Sequence, residues 1–163
     1  MQEREVSGNQ WVLNQDHIKH RYMYHGIKRL SDIFLSGIGL IILSPVFLVV
    51  AIAIKLDDQG GPVFYCQKRV GYLGQCFTMY KFRSMCVDAE KRLDKLQQYN
   101  EVAGAMFKMK NDPRITKVGR FIRHYSIDEL PQLYNVLIGD MSLVGPRPPL
   151  PREVKEYTGY DKQ

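Results

Sequence analysis

From Ile33 to Ile54 the chain reads IFLSGIGLIILSPVFLVVAIAI, 22 residues without a charge. As one straight helix this run would be about 33 Å long, enough to cross a hydrocarbon core. It begins too deep in the chain for a cleaved signal peptide, and no small-residue cleavage site follows it. Two features set it apart from a plain crossing. Pro45 stands near its centre, where it removes a backbone donor and crowds the preceding turn, so a kink or break is expected. Basic residues also flank both ends: Lys19, Arg21, Lys28 and Arg29 before the run, and Lys55, Lys68, Arg69, Lys81 and Arg83 after it. The positive-inside rule therefore favours both ends on the same, cytoplasmic side. A helix that enters, breaks at Ser44-Pro45 and returns satisfies both observations, with Ser44 bonding a carbonyl freed by the proline. A kinked single span and a buried core helix remain as alternatives.

The chain's 163 residues suffice for one folded domain. Lys and Arg total 23 against 17 Asp and Glu, a balance that points to anionic partners. Cys66, Cys76 and Cys86 are ten residues apart, unlike the paired spacing of zinc or redox sites, and read as reduced small hydrophobes. His17, His20 and His25 lie in a polar lead-in and read as solvated or interfacial residues rather than metal ligands. The expected fold is α+β and mainly helical. On the re-entrant reading, residues 1–27 are a polar, interfacial lead-in, 28–56 the re-entrant membrane helix, and 57–163 a compact cytosolic domain with interfacial helices.

Within that domain, VFYCQKRVG and QCFTMYKF, separated by Gly71-Tyr72-Leu73-Gly74, predict a β-hairpin. Residues 87–100 predict an amphipathic helix with Leu93 and Leu96 on one face. A short basic helix is expected over 115–124, and another helix from about Leu130 to Leu137, ending at Gly139. The segment 145–149 reads as an extended loop.

Asp128 and Glu129 stand just ahead of that last helix. Ser126 with Glu129 matches a capping box, and Pro131 permits a later start with Asp128 as the cap. On local sequence alone the two carboxylates could simply cap. Adjacent carboxylates also suit a divalent cation that keeps waters and shares phosphate oxygens, namely Mg²⁺. Lys108, Lys110, Arg114, Lys117, Arg120 and Arg123 lie close by in sequence, and Arg147 is bracketed by prolines that limit its backbone freedom. A guanidinium fork held in this way suits bidentate phosphate binding. Basic residues grouped with a carboxylate pair, rather than with aromatic stacking platforms, argue against nucleic acid as the partner.

These elements occur in an order that resembles a known family. KRLSDI at 28–33, the apolar run broken at Ser44-Pro45, GPVFYCQKRVG at 61–71 and KFRSM at 81–85 are followed by DPRIT at 112–116, SIDELPQL at 126–133 and GDMSLVGPRP at 139–148. The pattern resembles the bacterial sugar transferases, the monotopic polyprenyl-phosphate phosphoglycosyl transferases that begin exopolysaccharide, capsule and other glycan assembly. The resemblance implies transfer of a sugar-1-phosphate from a UDP-sugar to a membrane polyprenyl (undecaprenyl) phosphate, releasing UMP, at the cytoplasmic face of the bacterial inner membrane. It implies Asp128 as nucleophile, Glu129 as the Mg²⁺-associated carboxylate, and Arg123 and Arg147 as phosphate contacts. Lys81 and Arg83 are further phosphate-binding candidates. It also implies the re-entrant helix broken at Ser44-Pro45. The chain resembles the minimal catalytic form without a multi-span membrane region. The family pattern continues beyond Gln163, so a fragment or truncated product is expected, and a non-catalytic lipid-phosphate or partner-binding protein is the alternative. The sequence leaves the transferred sugar open, and it leaves both monomer and homo-oligomer open.

Overall fold

The computed structural model describes residues 22–96, 109 and 111–156. Most of the polar lead-in, the distal part of the 87–100 segment, Lys108 and Lys110 lie outside the described residues.

Helix α1 spans Tyr22–Asp57 with Pro45 inside it. The interruption expected at Ser44-Pro45 is thus not a gap between two arms, because the helical assignment continues through both residues. A proline at 45 cannot donate to the carbonyl four residues back, that of Ile41. Ser44 Oγ donates to that carbonyl at 2.8 Å and replaces the missing bond. The helix is long and apolar enough to cross a membrane, and much of it is uncovered: Ile41 is 75% exposed and Leu48 64%. An apolar surface this extensive is suited to lipid rather than water, and it associates the protein with a membrane.

The predicted hairpin forms. Strand β1, Phe64–Val70, pairs antiparallel with β2, Cys76–Phe82, in a register that sets Phe64 opposite Phe82 and Val70 opposite Cys76. Its connection is a 3₁₀ turn, Tyr72–Gly74, with Leu73 and Gly74 both at positive φ. Helix α2, Ala89–Leu96, occupies the predicted amphipathic segment. Helix α3, Lys117–His124, is capped by Thr116, whose side chain accepts from the Gly119 amide. Asp57 closes α1 and also accepts from the Val118 amide at 2.8 Å, so the end of one helix satisfies the start of another. A Cβ at Gly119 would stand 1.9 Å from the Ser84 carbonyl oxygen, so only glycine lets α3 approach the chain after β2 this closely. A 3₁₀ turn, Ile127–Glu129, leads to α4, Gln132–Ile138, which ends at Gly139 with φ 101°. Helix α5 spans Pro151–Glu156.

The core is small and built partly from α1. Val50 and Ile54 meet Phe82 of β2 and Ile122 of α3, with Phe47, Val63, Val118 and Ile127 packed around them. Phe47 and Phe64 both contact the Phe82 ring, at 5.1 and 5.3 Å between centroids. The earlier part of α1 lies along α4: an added Cβ at Gly39 would come within 3.3 Å of Leu133. Arg29 donates to the Val136 and Leu137 carbonyls at 2.6 and 2.7 Å, adding a cation to the end of α4, where Val136 also accepts from the Gly139 amide. The mainly helical α+β class is therefore as expected.

Candidate active site

Asn135, fully buried on α4, fixes the relation between this helix and the hairpin. It accepts from the Tyr80 amide at 3.0 Å and donates to the Thr78 carbonyl at 2.7 Å and to Asp140 at 3.1 Å. The residue after Tyr80 is Lys81, and its Nζ reaches Glu129 Oε1 at 2.7 Å. Thus β2 is locked to α4, and the β2 lysine is placed against the carboxylate pair that precedes α4. A cleft of about 470 Å³ opens here. Met79 and Lys81 of β2, Ser126 and Glu129, one side of α4, and residues from Met141 to Pro148 line it, Arg147 among them.

Neither carboxylate caps a helix. Pro131 occupies the N-cap of α4 without a side-chain bond, and Ser126 takes a left-handed conformation, φ 55°, ahead of the 3₁₀ turn, again without a side-chain cap. The capping box read from Ser126 and Glu129 is therefore absent. In its place is a turn that holds a non-glycine residue at positive φ, a local strain of about 1 kcal/mol. Asp128 is half-buried, and desolvation raises its carboxyl above the ordinary value; Lys81 and Arg123 pull it down, while Glu129 opposes them. Burial outweighs the cations, so the carboxyl lies above its ordinary value although Lys81 and Arg123 favour the charged form. Glu129 behaves oppositely: its bond from Lys81 holds it below the usual range, with Arg147 and Arg69 adding to the effect. One lysine thus biases both acids towards ionisation.

The remaining predicted residues divide into two groups. Arg147 faces the cleft and is exposed. Arg123 is exposed near the end of α3 and acts electrostatically on Asp128 without lining the cleft. Arg83 is turned elsewhere: only 7% exposed, it donates to the Asp58 carbonyl at 2.5 Å and lies 3.8 Å from the Asp58 carboxylate. Arg114 is buried against Asp112 in a 2.6 Å ion pair and does not extend the open basic surface. Arg69 entered the sequence reading only as a basic residue flanking the apolar run. This 6% exposed residue donates to the Pro148 carbonyl at 3.1 Å, and the Val70 amide bonds the Pro149 carbonyl at 3.0 Å. Arg69 and Gln67 occupy alternate positions on β1, bonded to each other through Gln67 Oε1 at 2.8 Å, and this period of two was the available signal.

No third His, Cys, Asp or Glu joins the pair in a metal-ligand cluster among the described residues. Mg²⁺ needs only one or two carboxylates when phosphate oxygens and water complete its octahedron. The donor set of Asp128 and Glu129 fits that ion and no all-protein cage.

The description "Bacterial sugar transferase" matches residues 23–163. Among curated relatives, the galactosyl transferase CpsE of Streptococcus agalactiae is 49% identical over 88% of this chain and 32% of its own length. The undecaprenyl-phosphate galactose phosphotransferase of Salmonella typhimurium is 50% identical over 80% of the chain and 28% of its own length. The undecaprenyl-phosphate glucose phosphotransferase of Komagataeibacter xylinus is 48% identical over 77% and 21%. The chain spans about a third or less of the length of these relatives. With a family model matching residues 23–163 and relatives about 50% identical over most of the chain, the protein belongs to the bacterial sugar transferase family.

Proposed function

We propose that the protein transfers a sugar-1-phosphate from a UDP-sugar to a polyprenyl phosphate, undecaprenyl phosphate above all, at the cytoplasmic face of the bacterial inner membrane. The observation that carries this reading is the Lys81–Glu129 pair lining a cleft with Arg147, with half-buried Asp128 next to Glu129 in the chain, in a body packed against an exposed apolar helix. Cationic groups at the cleft suit a diphosphate, and the helix brings the cleft to the level of a lipid phosphate.

In the first step an oxygen of ionised Asp128 attacks the β-phosphorus of the UDP-sugar. The bond from that phosphorus to the bridging oxygen breaks, UMP leaves with the electron pair, and an aspartyl phosphosugar remains. In the second step a phosphate oxygen of the lipid attacks the same phosphorus, releasing Asp128 and giving the polyprenyl diphosphosugar. Lys81 favours the attacking carboxylate and orients Glu129. Arg147 grips the donor phosphates, and Arg123 adds positive potential near Asp128. Glu129, with Asp128 beside it, would hold Mg²⁺, which when bound neutralises charge on the departing nucleotide phosphate.

The membrane segment is read as re-entrant. Arg29 bonds α4, while Val50 and Ile54 belong to the core, so both ends of the apolar run attach to one body. Cysteines placed at Tyr24 and Gln59, after replacement of Cys66, Cys76 and Cys86, should label from the same side of the membrane; opposite-side labelling would establish a span.

The enzymatic reading is tested by UMP release across a panel of UDP-sugars with detergent-solubilised protein and undecaprenyl phosphate. Wild-type protein should release UMP and, without lipid, retain a phosphosugar on Asp128 detectable by intact-protein mass spectrometry. Asp128→Asn should do neither. A stable, well-folded wild-type protein that released no UMP from any donor would sink the reading in favour of a binding role.

A further inference from the structure

The cleft wall from Met141 to Pro148 has no regular secondary structure, yet it carries Arg147. One end is held by β1 through Arg69 and Val70. The other end is held by the membrane-associated helix. Asp32, 6% exposed, accepts from Ser142 Oγ at 2.7 Å and from the Leu143 amide at 3.2 Å. Lys28, one turn earlier, donates to the Ser142 hydroxyl and to the Val144 carbonyl, the latter at 3.0 Å, and pairs with Asp32 at 3.8 Å. Ser142 thus relays between a cation and an anion of the same helix.

A carboxylate at the edge of an apolar run is costly in or beside lipid, and this one is directed into the protein. Both of its oxygens serve three consecutive residues, 142–144, directly or through Lys28, and these lie immediately before Gly145-Pro146-Arg147. The stiff Pro-Arg-Pro segment transmits the placement of its ends to the arginine between them. We infer that Asp32 is a positioning residue for Arg147: with Lys28 and Ser142 it suspends the cleft wall from the membrane helix, so that the helix is part of the active-site scaffold as well as the anchor. The inference takes its kinetic readout, and only that, from the phosphotransfer reading.

The test is amide hydrogen exchange on the detergent-solubilised protein, followed by mass spectrometry, together with UMP-release kinetics. In Asp32→Asn the 142–147 peptide should exchange about tenfold faster, the equivalent of one charge-assisted hydrogen bond. Protection of β2 and the membrane-bound fraction should stay at wild-type levels. kcat/KM should fall about tenfold, while in an Arg147→Ala background the same substitution should add less than about twofold, because the two act on one interaction. If Asp32→Asn does not fold, Ser142→Ala decides: it removes only the relay, and the same peptide should exchange a few-fold faster. Ser31→Ala, on the same helix but with its hydroxyl bonded among the described residues to the Ile27 carbonyl, should leave that peptide unchanged. Wild-type exchange at 142–147 in a folded Asp32→Asn or Ser142→Ala protein overturns the inference, as do fully additive losses with Arg147→Ala. Absence of UMP release by wild type would refute the transferase reading and leave the exchange experiment to judge the suspension by itself.

Discussion

The two ends of helix α1 are attached to the same body by different balances of packing and hydrogen bonding. The end nearer Asp57 is held by packing: Phe47, Val50 and Ile54 are in or against a core centred on Phe82 and Ile122. The end nearer Tyr22 is held by directional bonds from Lys28, Arg29 and Asp32 to α4 and to the segment after it. Packing is tolerant of direction and sets stability, whereas hydrogen bonds with ionic partners are exacting and set position. The apolar end therefore holds the domain together, and the polar end aligns its cleft.

That division can be broken end by end. The largest effect should come from Phe82→Ala, which empties the centre of the core and should cost about 3–5 kcal/mol. Thermal unfolding in detergent would measure it, and comparable destabilisation from the polar end would refute the contrast. Arg29→Met should cost less, about 1–2 kcal/mol, because it removes two charge-assisted bonds and a cation from the end of α4. Its loss of UMP release should be disproportionate to that destabilisation when assayed well below the melting temperature.

Lys81→Met touches neither attachment and sharpens the comparison. Melting should change little, but the acid limb of kcat/KM should move to higher pH. The sign follows from Lys81 lowering the Asp128 carboxyl: without the cation, burial and Glu129 act unopposed by it, and a higher pH is needed to ionise the nucleophile. An acid limb that stayed in place, or moved down, would remove Asp128 from the limiting ionisation. The smallest effect belongs to the stretch between the two ends. Ser44→Ala deletes the bond that replaces the one lost at Pro45 and should cost about 0.5–1.5 kcal/mol, read as faster exchange of the 40–46 amides with turnover nearly intact.

Much of this arrangement was legible from residue patterns. The hairpin around Gly71–Gly74 follows from alternating β-branched and aromatic residues between turn signals, and it forms at the expected place. The pairing of Ser44 with a carbonyl freed by Pro45 follows from local stereochemistry, which needs no knowledge of tertiary contacts. The capping box failed because S-x-x-E describes what a side chain can do, while the chain at Ser126 is bent into a left-handed conformation by the junction of α3 and α4. Arg83 and Arg147 show the same limit. Both are arginines in basic motifs, and only the fold turns one onto Asp58 and leaves the other facing the cleft. The role of Asp32 was illegible for a similar reason, since its partner Ser142 is 110 residues away in sequence.

Attachment at both ends also fixes the length of the apolar segment. A helix that serves only as an anchor tolerates an added or deleted residue, since lipid contacts are alike in every direction. In α1 each added residue rotates everything beyond it by about 100° and advances it by about 1.5 Å. One residue inserted between Gly39 and Phe47 would swing Val50 and Ile54 away from Phe82 if Asp32 kept Ser142, or pull Asp32 from Ser142 if the core held. Three or four residues, close to one full turn, would restore the facing but not the reach. The number of residues between the two attachments is thus set by the protein's own geometry, and bilayer thickness has no say in it.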